Sequence, residues 1–494
     1  MKHRYVWYLL ILLYSVADVQ VAVAQWYNEP LTIQGLERTT RHSAASRAAG
    51  GITIGIQNQA GTMFSNPASL QSVTTYQVSL SGLNTDAGAS QVQQYSPLKY
   101  YSNFSLLMEG LTGYIDDPDT SLPGANPGDT VQRPYDAIGP NWSSSKTTGA
   151  RPEIFLAVPF SLDEMELTFG VGLVDYSTLN HHYENHNVLF PSIGSERPVP
   201  VSRPASDSVP FITHWSSLLR QREGYIRGYG AALSGSFAGS FSWGLSGMIL
   251  SGTSDDYEEK IERGTLTFYR DWFRLDSVYG QRKTIGTSEY QGFEFSIGGI
   301  YRGTHVSTGV TVKLPMTITR KYSRVERFDT TGSASLVTVE GEDAITLPWR
   351  GSIGISLQAR ENVTIGVEYE IQSYSSALYK DAAGRESHPW LSSSMLRAGV
   401  EYRPLDWLAV RGGAREQTEI FEAEGNALIG EPVSYSLYSG GLGITYESLR
   451  LNVSYEYGLR KYQDVWQTNV NFNEDTYHTF VVEIVYELPA FWAE

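Results

Sequence analysis

Hydrophobic and polar residues alternate with a period of two through the C-terminal third of the 494-residue chain. In one stretch Val363, Ile365 and Val367 occupy every second position, and polar residues or glycine stand between them. A period of two is typical of a β-strand that has one apolar and one polar face. The pattern predicts seven consecutive strands, over residues 352–359, 363–371, 396–403, 408–411, 442–446, 449–457 and 479–488.

The connections between these strands are alternately short and long. Tight turns fall near residues 360, 404 and 447, and the long polar connections are 373–393, 416–437 and 461–476. Outer-membrane barrels have short turns at one rim and long loops at the other. A soluble β-sandwich also gives alternation, because the pattern shows only that one face is buried. The regular asymmetry, with aromatic residues at strand ends such as Tyr369 and Tyr486, favours a transmembrane antiparallel β-barrel.

Eight weaker strands are predicted earlier in the chain, over residues 76–82, 152–159, 165–174, 226–236, 240–251, 293–302, 307–315 and 335–346. With the later seven they make about fifteen, whereas a closed barrel of this kind has an even number. We therefore expect about 14 strands in an all-β barrel, with one of the fifteen outside the membrane. Residues 88–150 and 175–224 are irregular and are predicted as large surface loops.

Residues 1–24 have the three-part pattern of a secretory signal peptide. Basic residues at positions 2–4 precede an apolar run over residues 6–17, and Ala22-Val23-Ala24 offers small residues for cleavage. The apolar run is shorter than the ~20 residues that a membrane-spanning helix needs. We therefore predict an exported protein whose mature chain begins at Gln25.

The amino-acid composition excludes several classes of protein. The formal net charge is −16 at pH 7, and no basic stripe is present, which argues against nucleic acid as a partner. The absence of cysteine excludes a disulfide scaffold, a thiolate metal site and a cysteine nucleophile. No later stretch approaches 18 apolar residues, so a helical membrane protein is excluded while a barrel is not.

Candidate catalytic and metal-binding residues are sparse. His181, His182 and His186 have imidazoles that metals prefer, but they fall in a predicted surface loop, which favours solvated side chains. The carboxylates between Asp116 and Asp119 lack EF-hand spacing. No G-x-S-x-G, H-E-x-x-H or P-loop motif occurs. We therefore predict no enzyme activity, no metal and no cofactor.

An isolated Asn66-Pro67-Ala68 precedes the first predicted strand and follows Phe64. Proline lacks a backbone donor and disfavours helical backbone in the residue before it, so Asn66 is expected to be extended or in a turn. Alone, the tripeptide indicates only a turn. Its order in the chain is more informative, because it follows a signal peptide and a glycine-rich stretch and precedes a predicted barrel.

Residues 47–70, RAAGGITIGIQNQAGTMFSNPASL, resemble the N-terminal hatch of the FadL-type outer-membrane transport family. Residues 347–375 and 396–416 are similar to barrel hairpins of that family. The resemblance implies a hatch over residues 25–72 that fills the lumen of a barrel over residues 73–494. The residues to which it assigns gating are Phe64, Asn66, Pro67 and Ala68. This chain departs from the family at Asn58 and Gln59, where an acidic pair is common, and at Ser69, where glycine is frequent.

The function that the resemblance implies is passive transport of hydrophobic molecules, such as long-chain fatty acids, across the bacterial outer membrane. A ligand that leaves sideways through the wall avoids hydration of its apolar surface. The implied partners are outer-membrane lipids, a hydrophobic small-molecule ligand and, during biogenesis, the barrel-assembly machinery. The sequence assigns no substrate-binding residues.

Two other functions stay open at this point. A barrel of this kind can bind or shuttle other exported proteins, which predicts large protein-binding loops and needs no lateral opening. A general porin for small hydrophilic solutes is the third possibility, and a filled lumen argues against it. Fold alone does not choose among these functions.

Overall fold

The computed structural model describes residues 43–95, 141–149, 151–162, 165–190, 204–237, 239–270, 272–276, 280–330, 332–420, 433–466 and 469–488. The predicted signal peptide and the Asp116–Asp119 cluster lie outside these described residues, so those predictions stay predictions. The helices in the described part are α1 (Ala44–Ala48) and the 3₁₀ helices Ala60–Thr62, Pro67–Ser72 and Tyr374–Ser376. None of them is long and apolar enough to cross a membrane.

Fourteen strands form one closed antiparallel ring in the described part of the chain, which confirms the predicted fold class and strand number. The ring strands are β1 (Tyr76–Tyr95), β3 (Glu153–Leu162), β4 (Met165–Thr178), β6 (Phe211–Phe237), β7 (Phe241–Phe268), β9 (Gly280–Arg302), β10 (Val306–Lys313), β13 (Arg350–Arg360), β14 (Val363–Gln372), β17 (Ser393–Leu405), β18 (Leu408–Thr418), β19 (Ser434–Tyr446), β20 (Leu449–Trp466) and β21 (Asn469–Leu488). The ring closes because β1 pairs with β3 on one side and with β21 on the other.

Further strands continue ring strands or pair beside them at one end of the barrel. They are β2 (Trp142–Thr148), β5 (His181–Phe190), β8 (Phe273–Asp276), β11 (Met316–Thr330), β12 (Ser333–Leu347), β15 (Leu378–Lys380) and β16 (Glu386–Ser387). The predicted strand at residues 335–346 is part of β12, which lies outside the ring. It is therefore the one strand of the fifteen that the even-numbered barrel leaves over.

Prolines mark the places where ring strands are interrupted. Pro152 immediately precedes β3, Pro315 separates β10 from β11, and Pro348 lies between β12 and β13. Proline has no N–H to donate to a neighbouring strand, so the ladder breaks there. The pairing nevertheless continues in one register, with Lys313 opposite Arg350 and Met316 opposite Leu347.

Side chains alternate between the outside of the ring and its lumen. On β14, Ile365 and Val367 are 44% and 40% exposed, whereas Glu368 is 3% exposed. An apolar outer face is what a lipid environment requires of a barrel. On β6, which has 27 residues, the exposed aromatic residues of this belt extend from Tyr225 to Phe237, and the rest of the strand continues beyond it.

The predicted loops at residues 175–224 and 88–150 were partly wrong. β4, β5 and β6 occupy much of the first region, and the end of β1 and the whole of β2 lie in the second. The connection predicted over residues 461–476 is also strand, because β20 and β21 continue through most of it. These segments lie beyond the apolar belt, where neither face meets lipid, so hydrophobic alternation does not mark them.

The three histidines predicted to lie in a surface loop lie on β5 instead. Glu184 lies between two of them, 3.1 Å from His182 Nε2 and 3.3 Å from His186 Nε2. Hydrogen bonds from His182 and His186 lower the pKa of Glu184 to about 2. Among the described residues, no group of three or more histidine or acidic side chains has the arrangement of a metal site. His182 and His186 therefore hold a carboxylate.

We expect E184Q to weaken β5 in a pH-dependent way. Because the folded-state pKa is lowered from 4.5 to about 2, the ionised carboxylate stabilises the fold at pH values above about 4.5. This contribution is lost as the pH falls from about 4.5 through about 2. Amide hydrogen exchange of β5 should therefore be slower in the wild type than in E184Q at pH 7, with a smaller difference near pH 3. Glu361, exposed in the β13–β14 turn, provides the control variant E361Q. A difference that stays constant down to pH 3 would contradict this assignment.

Candidate functional site

Residues 43–73, called the inner segment below, lie inside the ring. Helix α1 packs against β18, β19 and β20, while the 3₁₀ helix Pro67–Ser72 packs against β4, β6, β7 and β9 on the opposite side. The inner segment is almost entirely buried, and Ala44, Ala60 and Met63 have no exposed surface. The lumen is therefore filled at this level. The predicted boundaries of the hatch, 25–72, stay a prediction because residues 25–42 lie outside the described part.

The Asn-Pro-Ala tripeptide begins the last helical turn of the inner segment. Asn66 is extended, as predicted, and its side-chain Oδ1 accepts a hydrogen bond from Ala68 N at 3.1 Å. Pro67 is the first residue of the 3₁₀ helix, where its missing N–H costs nothing. Ser69 Oγ donates to Asn66 O at 2.6 Å and closes the turn. The tripeptide is therefore an N-cap that fixes the end of the inner segment against the wall.

Two wall glycines let this turn approach the wall backbone closely. A Cβ atom at Gly298 on β9 would lie 2.1 Å from Asn66 Oδ1 and 3.0 Å from Pro67 Cδ. A Cβ atom at Gly244 on β7 would lie 2.3 Å from the carbonyl carbon of Pro67. Any larger residue at either position would have to displace the inner segment or the strand.

Buried charges of the wall bind the inner segment on the opposite side. Glu368 Oε1 on β14 accepts hydrogen bonds from the backbone N–H of Thr53 and, at 2.8 Å, of Ile54. Arg397 donates to Glu368 at 3.2 Å and is itself paired with Glu370. The carboxylate therefore supplies acceptors to backbone groups that lie far from water, and an arginine compensates its charge.

Arg47 makes a second ionic attachment. Its Nη1 donates to Glu456 Oε2 on β20 at 2.8 Å, and Glu456 Oε1 also accepts from Arg415 on β18 at 3.1 Å. Other inward charges pair within the wall, Arg411 with Glu401 and Arg450 with Glu487. Five charged residues that point into the lumen therefore all take part in ion pairs: Glu368, Arg397, Glu401, Arg411 and Arg450.

One side of the lumen is apolar and runs from the inner segment towards the extended end of the barrel. We call this cluster of buried, mutually contacting side chains the apolar track. Phe64 belongs to it, and its ring lies 6.5 Å from that of Phe155. The track includes Met63, Phe64, Leu70, Val73, Phe155, Val174, Tyr176, Leu179, Ile226, Met248, Leu250, Tyr290, Met316, Ile318, Ile345, Leu347, Tyr374, Tyr379, Trp390 and Ile420. An apolar lining is unusual, because the interior of such barrels is ordinarily polar.

A cavity of about 470 Å³, called the polar cavity below, begins beside α1 and extends across the lumen to β2, β4 and β6. Arg47, Arg415 and Glu456 lie in its wall, together with Leu437 and Tyr435 of β19. Its volume is in the range of small-molecule sites. The lumen therefore contains two environments, one apolar and packed, the other charged and open.

β2 has backbone pairing on one side only in the described part of the chain. It pairs there with β1, and side-chain contacts join it to the strands on its other side. Asn180 Nδ2 donates to Thr148 Oγ1 at 2.8 Å, and Lys146 pairs with Glu223. A second cavity of about 420 Å³ opens here. We call this place the lateral seam, lined by Lys146, Gly149, Arg151, Asn180, Glu223 and Tyr225.

The sequence singled out Phe64, Asn66, Pro67 and Ala68, and the structure brings all four together inside the ring. The sequence did not predict the apolar track or the polar cavity. Met316 and Ile318 alternate like lipid-facing residues, and only the closed ring shows that they face inward. The prolines that interrupt strands could have pointed to the apolar track, because Pro315 is next to Met316 and Pro348 is next to Leu347.

A closed fourteen-strand barrel with a segment of chain inside it defines a class of outer-membrane β-barrels, and solved structures narrow that class. A Pseudomonas aeruginosa FadL homologue is 14% identical and covers 90% of this chain and 98% of its own, with a TM-score of 0.55. The P. putida toluene transporter TodX is 13% identical over 91% of this chain and 99% of its own, with a TM-score of 0.51. A TodX mutant with deletions in S2 and S3, a monoaromatic hydrocarbon channel, is 12% identical over 90% and 99%, with a TM-score of 0.56.

These likenesses show that the chain has the FadL-type outer-membrane transporter fold, as the resemblance of residues 47–70 implied. No family model and no curated protein sequence matches the chain.

We expect G298A to push the inner segment away from the wall, because the new Cβ would overlap Asn66 Oδ1. Gly299 is a matched control, since a Cβ there would make only ordinary contacts, 3.6 Å from the Phe241 ring. Proteoliposomes with G298A should therefore leak a small sugar faster than those with G299A or the wild type. Equal leakage from the two variants would show that this approach does not hold the inner segment in place.

Proposed function

We propose that this protein is a channel of the bacterial outer membrane for hydrophobic small molecules, with long-chain fatty acids as one candidate class. The observation that carries the proposal is the apolar track. It joins Phe64 of the inner segment to Trp390 and Ile420 through contacting, buried side chains. Transfer of an apolar solute from water to such a lining is favourable, and a water-filled pore would provide no such gain.

The lateral seam supports an exit into the membrane. Leu179 and Ile226 belong to the apolar track and neighbour Asn180 and Tyr225 of the seam. Tyr225 lies at the edge of the exposed apolar belt of β6, so the seam meets the level of the lipid headgroups. A hydrophobic ligand that passed here would enter the bilayer without crossing the filled part of the lumen.

We further propose that the inner segment gates this route. Its attachments are of two kinds, ion pairs and hydrogen bonds at Glu368 and Glu456 on one side and close packing at Gly244 and Gly298 on the other. Phe64 lies at the junction of the inner segment with the apolar track. A shift of the inner segment would therefore change the track directly, as the hatch role of Phe64, Asn66, Pro67 and Ala68 requires.

A protein-binding barrel is the second candidate. Long strands such as β6 and β7, with 27 and 28 residues, extend well beyond the apolar belt and offer a large surface. An apolar track inside the barrel has no role in that function. A general porin is less suited still, because the inner segment occupies the lumen.

Transport by proteoliposomes tests the proposal. The wild type should pass labelled oleate and toluene and retain a small sugar. M316Q places an amide in the apolar track at nearly constant volume, and we expect transport at least about fivefold slower, because an apolar solute that passes must displace the polar partners of that amide at a cost of about 1–3 kcal/mol. T317K is the control, since Thr317 is the exposed neighbour of Met316. Failure of folded wild-type protein to move either compound would favour the protein-binding barrel.

A reversible cross-link tests gating separately. The chain contains no cysteine, and a Cβ at Gly366 would lie 3.6 Å from Ile52 Cβ, within reach of a disulfide. In the I52C/G366C variant we expect oxidation to slow oleate transport and a reductant to restore it. Each single variant should respond to neither treatment. Equal rates for the oxidised and reduced double variant would mean that transport needs no movement at Ile52.

A further inference from the structure

The wall of the polar cavity carries an excess of positive charge at one place. Arg47 and Arg415 share the single carboxylate of Glu456, at 2.8 and 3.1 Å, so the three side chains together carry one net positive charge. Among the other cationic residues of the cavity wall, Lys146 pairs with Glu223, Arg151 with Asp175 and Arg222 with Asp256, while Arg460 has two acidic partners, Asp475 and Glu419. The excess is therefore local to Arg47 and Arg415, because the second carboxylate on Arg460 balances it over the whole cavity wall. Uncompensated charge is costly in a site removed from water.

Arg47 also has unused donors. Its side chain is about 4% exposed, and Nε and Nη2 have no hydrogen-bond partner, while Nη1 donates to Glu456. Guanidinium groups bind carboxylates through two parallel hydrogen bonds. Both nitrogens are covered by neighbouring atoms. Arg47 therefore has the donors that an anionic ligand requires once its guanidinium turns towards the cavity that it lines.

The rest of the cavity wall sets the shape of that ligand. Leu437, opposite Arg415 on the neighbouring strand, and Leu83 offer apolar surface. The rings of Tyr435 and Tyr477 meet edge to face, with centroids 5.7 Å apart. Charged residues surround this apolar patch on the remaining sides, which does not suit a long alkyl chain. A compact apolar body, such as one aromatic ring, matches both the patch and the volume of about 470 Å³.

We propose that the polar cavity binds a small organic carboxylate of the single-ring aromatic acid class, with Arg47 and Arg415 as its anion ligands. The inference deepens the proposed function, on which it rests for the role of the bound acid as a transported compound. The acid's carboxylate neutralises the excess charge and accepts hydrogen bonds from the free nitrogens of Arg47. Its ring lies against Leu437 and the tyrosine pair.

Benzoate and benzamide make a matched pair of probes, because they have nearly the same shape and only benzoate is charged. In isothermal titration of the purified full-length protein in detergent, we expect benzoate to bind at least about tenfold more tightly than benzamide, as a charge-assisted pair requires. R47K keeps one bond to Glu456 and loses the guanidinium fork, so benzoate affinity should fall by about tenfold while benzamide affinity stays unchanged.

Two further variants exclude simpler explanations. R411K changes another buried lumen arginine, paired with Glu401 and not part of this cavity wall, and should leave benzoate affinity unchanged. E456Q removes the carboxylate that competes for both arginines, and we expect it to tighten benzoate binding at least about threefold. A loss of folding cannot produce this gain.

The outcomes separate the two proposals. Equal affinity of the wild type for benzoate and benzamide, or equal benzoate affinity of R47K and the wild type, would overturn the carboxylate site and leave hydrophobic transport standing. Arg47-dependent benzoate binding by a protein that moves neither toluene nor oleate would support the site and overturn the proposed function.

Discussion

A polypeptide segment inside a closed barrel must satisfy its own backbone polar groups without water, and this constraint governs the rest of the structure. The backbone N–H and C=O groups of a wall strand form hydrogen bonds with neighbouring strands. The wall therefore has only its side chains with which to form hydrogen bonds to the inner segment. Glu368 does so for two consecutive backbone N–H groups. A carboxylate placed there needs a cation, and Arg397 supplies it while also pairing with Glu370. The buried charges at Glu368 and Glu456 therefore follow from the presence of the inner segment.

The same constraint explains why the lumen contains two environments. Where the inner segment meets the wall through backbone and arginine groups, the wall is charged and leaves room for the polar cavity. Met63, Phe64 and Leu70 of the inner segment pack against apolar side chains of the wall and against wall glycines that permit close approach. The order of residues in the inner segment, which is about thirty residues long, therefore determines where the lumen is charged and where it is apolar.

The barrel and its strand number could be predicted from the sequence, because lipid on one side and lumen on the other give every membrane strand a period of two. The segment inside the barrel was predicted only from the resemblance of residues 47–70 to the hatch of the FadL-type family. This period of two in hydrophobicity is present only in the parts of the strands that cross the membrane. β5 and the outer parts of β6 and β20 have polar residues on both faces, so His181, His182 and His186 looked like loop residues. The apolar track was hidden for the converse reason: Met316 and Ile318 face inward yet alternate as lipid-facing residues do. Direction relative to the ring is a property of register, which one sequence does not reveal.

The pairing of β1 with β21 has a consequence for folding and for tolerance of truncation. It joins residues more than 370 positions apart, over a register that extends from Tyr76 opposite Leu488 to Tyr95 opposite Asn469. Contacts between such distant parts of the chain form late, because closing a long loop is entropically costly and is rewarded only once many pairs can form together. Until this last pairing forms, two strand edges stay open, and open edges are not tolerated in a bilayer. Removal of β21 would therefore not shorten the wall locally; it would leave the whole ring without a way to close.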